Sequence, residues 1–481
     1  PRLKPGHTLN RNFIWFDIEY FSGWQQPGVS RTQMVATAKV NNEEFYKNWN
    51  YYFMINGKID SYGTASSYTD TVTSTPGAFA AIAKRNPSYK TSAICLMNQT
   101  PLITSQNLTP DNYVRNSSGQ YLDMGGNVVS GVKYFSPTAP NSTLISDGNY
   151  LKPYFQNLLN ALGRPLDIMN DNGEAMYLMS LNGKVIDNDP VVKADYLNLG
   201  YPASKTTESI NDYRGRKYAD QVSLYRDQFM SISPSTAYTF YGLDGQSDYR
   251  PVWPRGKAIQ SKINGHHYST GDFYLRWPDN WKAWAGAWHG LGWFADCKYF
   301  EEKAGDSLMS PFVCAGWNAD ETQNPRPAQY LACLKVLAAW GSEFFYTGFF
   351  NLSTPFPDAK NWGWQTVMPV YTQGIVSRYE EFLRNGTLLE GDVPRYFLTT
   401  TTLQPNNPKY LFYTGDAKKL VAVRKLNGAK KYVITAAQMV DANTIGNAPN
   451  SSFAKFKLGN DSLKIEFRRQ GSVYIYDATN P

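Results

Sequence analysis

One pattern in the sequence constrains the fold most: an apolar run of strand length that ends in carboxylates and is followed by a helical pattern. Residues 310–321 begin with this run, turn polar and end in Asp320 and Glu321. A helical pattern follows over about 327–341, and a second buried-strand run covers 344–350. This order is typical of a parallel β/α protein with its chemistry at the carboxyl end of a strand.

An earlier stretch has the same build. Residues 166–174 begin with a short apolar run and continue through Asn170 and Asn172 to Glu174. The two stretches belong to a series of strand candidates that are mostly separated by helical patterns. The candidates are residues 12–19, 51–55, 92–97, 166–169, 237–241, 267–277, the first part of 310–321, and 344–347.

This series predicts an α/β fold, a (β/α)8 TIM barrel with enlarged loops. A doubly wound sheet is the alternative, but the sequence lacks the Gly-rich turns GxGxxG and GxxxxGK[ST] that bind nucleotides in such sheets. The longest loop, about 98–146, is polar, and loops of this length are usually functional or disordered.

The pattern changes after Gly391. Short runs of alternating apolar and polar residues follow, and Asn427-Gly428 between two of them is a strong hairpin signal. We therefore predict two domains, a catalytic barrel over 1–390 and a small antiparallel β-sandwich over 391–481.

The composition narrows the class of ligand. Aromatic residues make up 15% of the 481 residues, with 34 Tyr and 13 Trp, and they offer rigid amphipathic surfaces on which sugars or nucleobases stack. The net charge of +7 is spread along the chain without a basic cluster, which argues against nucleic acid. The four Cys have no metal-binding spacing, so we expect no zinc.

The sequence contains no signal peptide, no apolar run long enough to span a membrane and no lipidation motif. We expect a secreted or periplasmic protein without a membrane-spanning segment, whose leader was removed before Pro1. We also expect a monomer.

Carboxylates at the ends of the fourth and seventh predicted strands are the candidates for catalysis. A barrel has its active site at the carboxyl ends of its strands, where Glu174 and Glu321 fall. In a retaining glycosidase two such carboxyl groups stand about 5 to 5.5 Å apart, one as acid/base and one as nucleophile. Asp320 is the rival of Glu321 as nucleophile. Ordinary loop carboxylates are the alternative interpretation.

One group of motifs resembles a known family. The motifs are Gly316-Trp317-Asn318, Arg326-Pro327-Ala328, Leu334-Lys335 and the stretch 342–351. Together they are similar to the β-agarase and β-porphyranase family of clan A glycoside hydrolases. The resemblance implies a barrel followed by a β-sandwich and retaining cleavage of β-1,4-linked red-algal galactans. It also implies that Glu174 is the acid/base and Glu321 the nucleophile.

The sequence departs from the clan at one position. The clan has an Asn directly before the acid/base, where it contacts the 2-hydroxyl group of the sugar. Gly173 stands there in this chain, and Asn172 lies one place earlier. Either the strand end carries an extra residue or the role has moved, and we assign Asn172 to substrate binding.

Further substrate-binding candidates lie near the same strand ends. Trp317 and Trp277 are expected to be stacking platforms, and the resemblance implies that Tyr274 positions the nucleophile, with a core aromatic as the alternative. Arg276 would meet sulfate on an acidic glycan or would be a solvated charge. The other candidates are Glu19, His267 and Asn318.

No metal site is predicted. His266 and His267 are neighbours on a predicted strand, and neighbours on a strand point to opposite faces, so the two rings would not converge on one ion. A hydrogen bond from one of them to the substrate is the preferred interpretation.

We predict a retaining, endo-acting glycoside hydrolase without a cofactor, whose partner is a β-linked, galactose-containing polysaccharide of the agar, porphyran or carrageenan type. Whether the polysaccharide is sulfated stays open. One alternative is a glycan-binding protein on an inactive barrel, which would release no reducing sugar. The other is a polysaccharide lyase, whose unsaturated products absorb in the ultraviolet.

Overall fold

The chain forms two compact units in the computed structural model. One unit is Pro1–Tyr52 with Gly271–Pro481, and the other is Phe53–Thr270. The described residues are 3–14, 50–55, 76–94, 109–172, 181–241, 261–263, 268–269, 272–274, 308–309, 312–314, 330–331, 334–335, 337–338, 341–343, 345–347, 360–388, 395–396, 403–404, 419–429, 431–438, 451–458 and 461–468.

The protein is an α/β protein. Its described strands are β1 (Phe13–Ile14), β2 (Phe53–Ile55), β3 (Thr91–Ile94), β4 (Ile168–Asn172), β5 (Ala237–Tyr241), β6 (Tyr268–Ser269), β7 (Asp272–Tyr274), β8 (Leu308–Met309), β9 (Phe312–Cys314), β10 (Tyr346–Thr347), β11 (Gly386–Leu388), β12 (Arg395–Tyr396), β13 (Leu403–Gln404), β14 (Lys419–Leu426), β15 (Tyr432–Gln438), β16 (Ser451–Leu458) and β17 (Asp461–Arg468). Its described helices are α1 (Pro76–Arg85), α2 (Asn141–Leu162), α3 (Gly183–Asn188), α4 (Pro190–Asn198), α5 (Thr207–Met230), α6 (Lys360–Val376) and α7 (Glu380–Asn385).

The unit Phe53–Thr270 contains a four-stranded sheet in the order β2-β3-β4-β5. All its neighbouring strands are parallel, with Ile55 opposite Ala93, Ile94 opposite Asn170, and Asn170 opposite Thr239. Strands that follow the chain order side by side, with helices between them, are what a (β/α)8 barrel has in its first half.

Helices α2 and α5 pack against each other beside this sheet. The two helices approach closely at Gly148, because a Cβ atom there would stand 2.2 Å from the carbonyl oxygen of Tyr225. The rings of Phe155 in α2 and Phe229 in α5 meet edge to face with centroids 6.0 Å apart, and the centroid of Phe229 lies 6.3 Å from that of Tyr238 in β5. These rings fix which face of β5 carries the helices.

The ends of both helices follow from their sequence. Gly163 ends α2 in the left-handed conformation (φ 67°), and its N–H donates to the carbonyl of Leu159. The helical spacing of Tyr154, Leu158 and Leu162 and the following Gly163 predict a helix over 150–162. Its end is confirmed, but the helix begins earlier, at Asn141. Thr206 caps α5 by accepting a hydrogen bond from the N–H of Ser209 at 3.1 Å.

The segment 109–140, inside the predicted long loop, is a compact insert. Three backbone hydrogen bonds of 2.9 to 3.1 Å join Val114, Leu122 and Tyr134 in a ring: Val114 donates to Tyr134, Tyr134 to Leu122, and Leu122 to Val114. All three side chains are buried with Val185 and Tyr196 of α3 and α4 in one apolar cluster. The insert after β3 and the short helices after β4 therefore share a core.

The other unit contains a second all-parallel sheet, in the order β1-β10-β9-β7. Phe13 is opposite Tyr346, Tyr346 is opposite Phe312, and Phe312 is opposite Asp272. Read as predicted strands, this is one, eight, seven and six side by side, which is the order of the second half of a barrel.

A buried amide network fixes the N-terminal segment in this unit. The side-chain oxygen of Gln373 in α6 accepts hydrogen bonds from Asn12 at 2.7 Å and Asn50 at 3.0 Å. Its nitrogen donates to the backbone carbonyls of Asn10 at 2.8 Å and Glu343 at 3.0 Å. One buried side chain thus joins three separate parts of the chain to α6.

A buried ion pair adjoins the network. The carboxylate of Glu343 is fully buried, forms an ion pair with Arg384 and accepts the N–H of Asn10 at 3.1 Å. The guanidinium of Arg384 also donates to the carbonyl of Thr8 at 2.9 Å. Both charges are therefore compensated by a partner.

The C-terminal strands are antiparallel. β11, β14 and β15 form one sheet, and β16 pairs with β17. The hairpin predicted at Asn427-Gly428 is confirmed, since Lys425 is opposite Tyr432 and Gly428 has a φ of 75°. A β-sandwich, a closed barrel and a domain boundary between 390 and 391 stay predictions, and residues 389–394 lie outside the described ranges.

Candidate active site

Two of the predicted site residues lie in described strands. Asn172 is the last residue of β4 and pairs with Tyr241, and Tyr274 is the last residue of β7 and pairs with Cys314. Both positions are the carboxyl ends of parallel strands, and the roles of both residues in substrate binding stay predictions. The other predicted site residues lie outside the described residues and stay predictions, namely Glu174, Glu321, Glu19, His267, Arg276, Trp277, Trp317 and Asn318. The rival nucleophile Asp320 lies outside them too.

The described part of the candidate site is a polar pair on β4 and β5. Thr239 Oγ1 donates a hydrogen bond to Asn170 Oδ1 at 3.1 Å, and the two residues are direct partners in the strand register. They are 1% and 3% exposed, so this hydrogen bond is made away from water.

The face of the sheet that carries this pair follows from Tyr238. Its ring lies beside Phe229 of α5, and the guanidinium of Arg226 lies 5.8 Å from the ring centroid. Side chains alternate along a strand, so Thr239 lies on the opposite face from Tyr238. The polar pair is therefore on the face turned away from α5, which in a barrel is the interior.

The hydrogen bond orients the Asn170 amide. Its oxygen accepts from Thr239, so its Nδ2 group is directed away from that hydroxyl and can donate elsewhere. The sequence does not predict this pair, because Asn170 is polar and directly follows the apolar run that marks the fourth strand. The signal was the position of Asn170 two residues before Asn172, the period that shares one face of a strand.

Several described groups have displaced pKa values. Burial lowers the pKa of His7 and of Lys335, and burial together with the neighbouring carboxylate of Asp195 raises the pKa of Tyr213. The hydrogen bond from Lys205 lowers the pKa of Asp187. None of these groups lies on β4 or β5, so we assign them structural roles and not catalytic ones.

Among the described ranges, no group of three or more His, Cys, Asp or Glu side chains is arranged to hold a metal ion. Nor does the described part of the chain contain a helix with the length and apolar character needed to cross a membrane.

No protein-family model and no curated protein matches the chain. Solved structures similar to it include three glycoside hydrolases. Bee venom hyaluronidase has a TM-score of 0.32 and 8% identity, over 60% of this chain and 88% of that one. Eubacterium rectale Amy13B has a TM-score of 0.44 and 11% identity, over 96% and 93%.

The third is a cold-adapted β-galactosidase from Rahnella sp. R3, with a TM-score of 0.45 and 12% identity, over 82% of this chain and 59% of that one. All three TM-scores lie below 0.5, so the likeness by itself assigns neither a fold nor an activity to this protein.

Proposed function

We propose that the protein is a retaining, endo-acting glycoside hydrolase on a closed (β/α)8 barrel followed by a β-sandwich. The observation that carries the proposal is the pair of all-parallel sheets, each with its strands in barrel order. Glu174 follows the last residue of β4 by two positions and Glu321 follows the last residue of β9 by seven, so both carboxylates belong to segments that follow the carboxyl ends of parallel strands.

In this mechanism Glu174 protonates the leaving oxygen while Glu321 attacks the anomeric carbon and forms a covalent glycosyl-enzyme. Glu174 then removes a proton from water, which attacks the same carbon and releases the sugar. The mechanism requires the two carboxyl groups to stand about 5 to 5.5 Å apart. Asp320 is the alternative nucleophile.

The polar face of β4 and β5 supports this assignment. Asn170, Asn172 and Glu174 have the same parity in the sequence, and Asn170 is a buried polar residue on the face away from the helices. A donor held in place by Thr239 suits a site that binds sugar hydroxyl groups, because a fixed donor loses little freedom when the substrate binds.

The substrate we propose is a β-linked, galactose-containing polysaccharide. The resemblance of the 316–351 motifs to the β-agarase and β-porphyranase family and the 15% aromatic content support it. Trp317 and Trp277 would stack on sugar rings, Tyr274 would orient the nucleophile, and Asn318, Glu19, His267 and Arg276 would contact hydroxyl or sulfate groups. We also propose that the protein is secreted or periplasmic and that it acts as a monomer.

The test is release of reducing sugar from agarose, porphyran, carrageenans and plant glycans by the purified protein. Glu174→Gln should lower the rate by about 10²- to 10⁴-fold, the usual contribution of a general acid/base, and Glu321→Gln should abolish turnover. Glu208→Gln, which changes an exposed carboxylate in the first turn of α5, is the matched control.

The outcomes separate the alternatives. Normal hydrolysis by Glu321→Gln together with loss in Asp320→Asn would assign the nucleophile to Asp320. Binding of polysaccharide without any reducing sugar would indicate a glycan-binding protein. Products that absorb in the ultraviolet would indicate a lyase. Nuclear magnetic resonance of the first product gives the anomeric configuration, and inversion would contradict the double displacement.

A further inference from the structure

A second candidate site lies in the unit Phe53–Thr270, between the insert and the start of α4. It is a cavity of about 310 Å³, with Tyr113 and Arg115 on the side of the insert and Asp189 and Val191 on the side of α4. Small-molecule pockets in proteins have volumes of about 300 to 1,000 Å³, so this cavity has room for a small ligand such as one sugar ring.

The walls of the cavity are held together by one carboxylate. Asp189 is 4% exposed, and its Oδ2 accepts the N–H of Arg115 at 2.7 Å. Its Oδ1 accepts the N–H of Val191 at 2.8 Å and that of Val192 at 3.0 Å. Because both walls are tied to the same buried side chain, the cavity exists before a ligand binds. Binding therefore costs little conformational entropy.

The aromatic wall is also held in place. The rings of Tyr113 and Tyr121 meet edge to face at 5.9 Å. The ammonium group of Lys133 lies 4.0 Å from the centroid of Tyr121 and 5.2 Å from that of Tyr113. Tyr113 is half-buried and lines the cavity, so it offers a fixed aromatic surface beside polar groups.

The charges of the lining select against an anion. Arg115 is the one cation of the lining, and it forms an ion pair with Asp111, which lines the cavity too. Asp189 adds a second carboxylate, so the lining carries no surplus positive charge. A phosphate or sulfate group would therefore gain no net attraction from the charges of the lining.

The polar groups of the lining include donors and acceptors. The guanidinium of Arg115 donates, the carboxylate of Asp111 accepts, and the hydroxyl of Thr138 does both. A pyranose matches this set, because its hydroxyl groups donate and accept at the ring edge while its C–H face packs on an aromatic ring. A lipid or an apolar peptide would remove water from these polar groups and offer them no further hydrogen bond.

We propose that this cavity binds a neutral sugar unit of a glycan chain. The two segments that form it follow β3 and β4, whose carboxyl ends lie at one edge of a parallel sheet. A glycan held there would be kept close to the protein between rounds of cleavage. The choice of polysaccharides as ligands rests on the proposed function, but the site itself needs no hydrolysis.

The experiment is affinity electrophoresis of the full chain in native gels that contain a neutral polysaccharide (agarose, galactomannan, xylan or mixed-linkage β-glucan) or a sulfated one (porphyran or carrageenan). We expect at least one neutral polysaccharide to retard the wild type, and Tyr113→Ala to weaken the apparent affinity about fivefold to tenfold. Val191→Trp, which fills the cavity from an exposed position, should do the same without removing a contact.

Tyr150→Ala is the matched control, because Tyr150 is an exposed tyrosine of α2 and does not line the cavity. Equal retardation of the wild type and both cavity variants would overturn the proposal, as would retardation by sulfated polysaccharides alone. Retardation that depends on Tyr113 or Val191 supports the site whether or not the wild type releases reducing sugar. The failure of the proposed hydrolysis is therefore distinguishable from the failure of this site.

Discussion

Thr239 and Asn170 are opposite one another on neighbouring parallel strands and share a buried hydrogen bond of 3.1 Å. The bond holds the amide of Asn170 on the face of the sheet away from α5. In the proposed function this amide is a fixed hydrogen-bond donor for sugar hydroxyl groups, so the pair connects the packing of the sheet with substrate binding.

Removing the Thr239 hydroxyl should reduce both stability and turnover. In Thr239→Val the oxygen of Asn170 loses its buried donor, which costs about 1 to 3 kcal/mol of unfolding free energy. We also expect kcat on polysaccharide to fall, because the freed amide is no longer held in one orientation. Urea denaturation and initial rates measure the two effects.

Thr236→Val is the control for that prediction. Thr236 is buried directly before β5, and its hydroxyl donates to the carbonyl of Leu166 at 2.7 Å. Its loss should cost similar stability with little change in kcat. Equal effects of the two variants on kcat would show that Asn170 has only a structural role.

Replacing Gln373 should destabilise the unit Pro1–Tyr52 with Gly271–Pro481. In Gln373→Ala, four hydrogen bonds among buried groups are lost together, and we expect a loss of about 3 kcal/mol or more of unfolding free energy. Urea denaturation followed by tryptophan fluorescence measures it. Thr372→Val, the neighbouring residue in α6, removes one hydrogen bond to Met368 and should cost about 1 kcal/mol. A smaller loss in Gln373→Ala than in this control would contradict the prediction.

Gly148 should not tolerate a side chain. In Gly148→Ala the added Cβ would meet the carbonyl oxygen of Tyr225 at 2.2 Å, so α2 and α5 must move apart. Such overpacking typically costs about 1 to 3 kcal/mol, and thermal unfolding should show a lower midpoint. The control Gly183→Ala places its Cβ at 3.6 Å from the side chains of Ile210 and Lys205, an ordinary contact. If both variants melt alike, the helices do not need the glycine.

Lowering the pH should reduce the free energy of unfolding, because His7 takes up a proton more readily in the unfolded chain. Burial lowers the pKa of His7 below its ordinary value of 6.5, opposed by Glu380 and reinforced by Arg11. The unfolded chain therefore binds this proton first, and unfolding free energy is lost as pH falls from 6.5 through the folded pKa. We expect His7→Gln to lose less stability than the wild type between pH 7.5 and 5.5. Urea midpoints at the two pH values measure this, and parallel losses would exclude His7.

The sequence predicted the strands better than their ends. Apolar runs marked β3, β4 and β5, but the prediction ended the fourth strand at residue 169 because Asn170 is polar. Asn170 stays in the strand because Thr239 satisfies its side-chain oxygen, a partner 69 positions away that no local pattern reveals.

The insert illustrates a second limit of sequence analysis. Residues 109–140 are mostly polar, and the few apolar residues that form its core are buried together with apolar residues of α3 and α4. Those helices were not predicted, although Asn182 and Asp189 are typical N-cap residues and Pro190 occupies a typical first position. Local sequence patterns cannot predict whether the two candidate catalytic carboxylates meet, because Glu174 and Glu321 are separated by nearly a third of the chain.

The double role of Asp189 has a consequence for anyone who re-engineers the protein. The same carboxylate begins α4 and secures the insert through Arg115, so neither segment can be exchanged for a foreign loop on its own. A graft of 109–140 alone would separate Arg115 from the Asp189 carboxylate that caps α4. A graft that carries 109–140 and 181–198 together keeps this hydrogen bond.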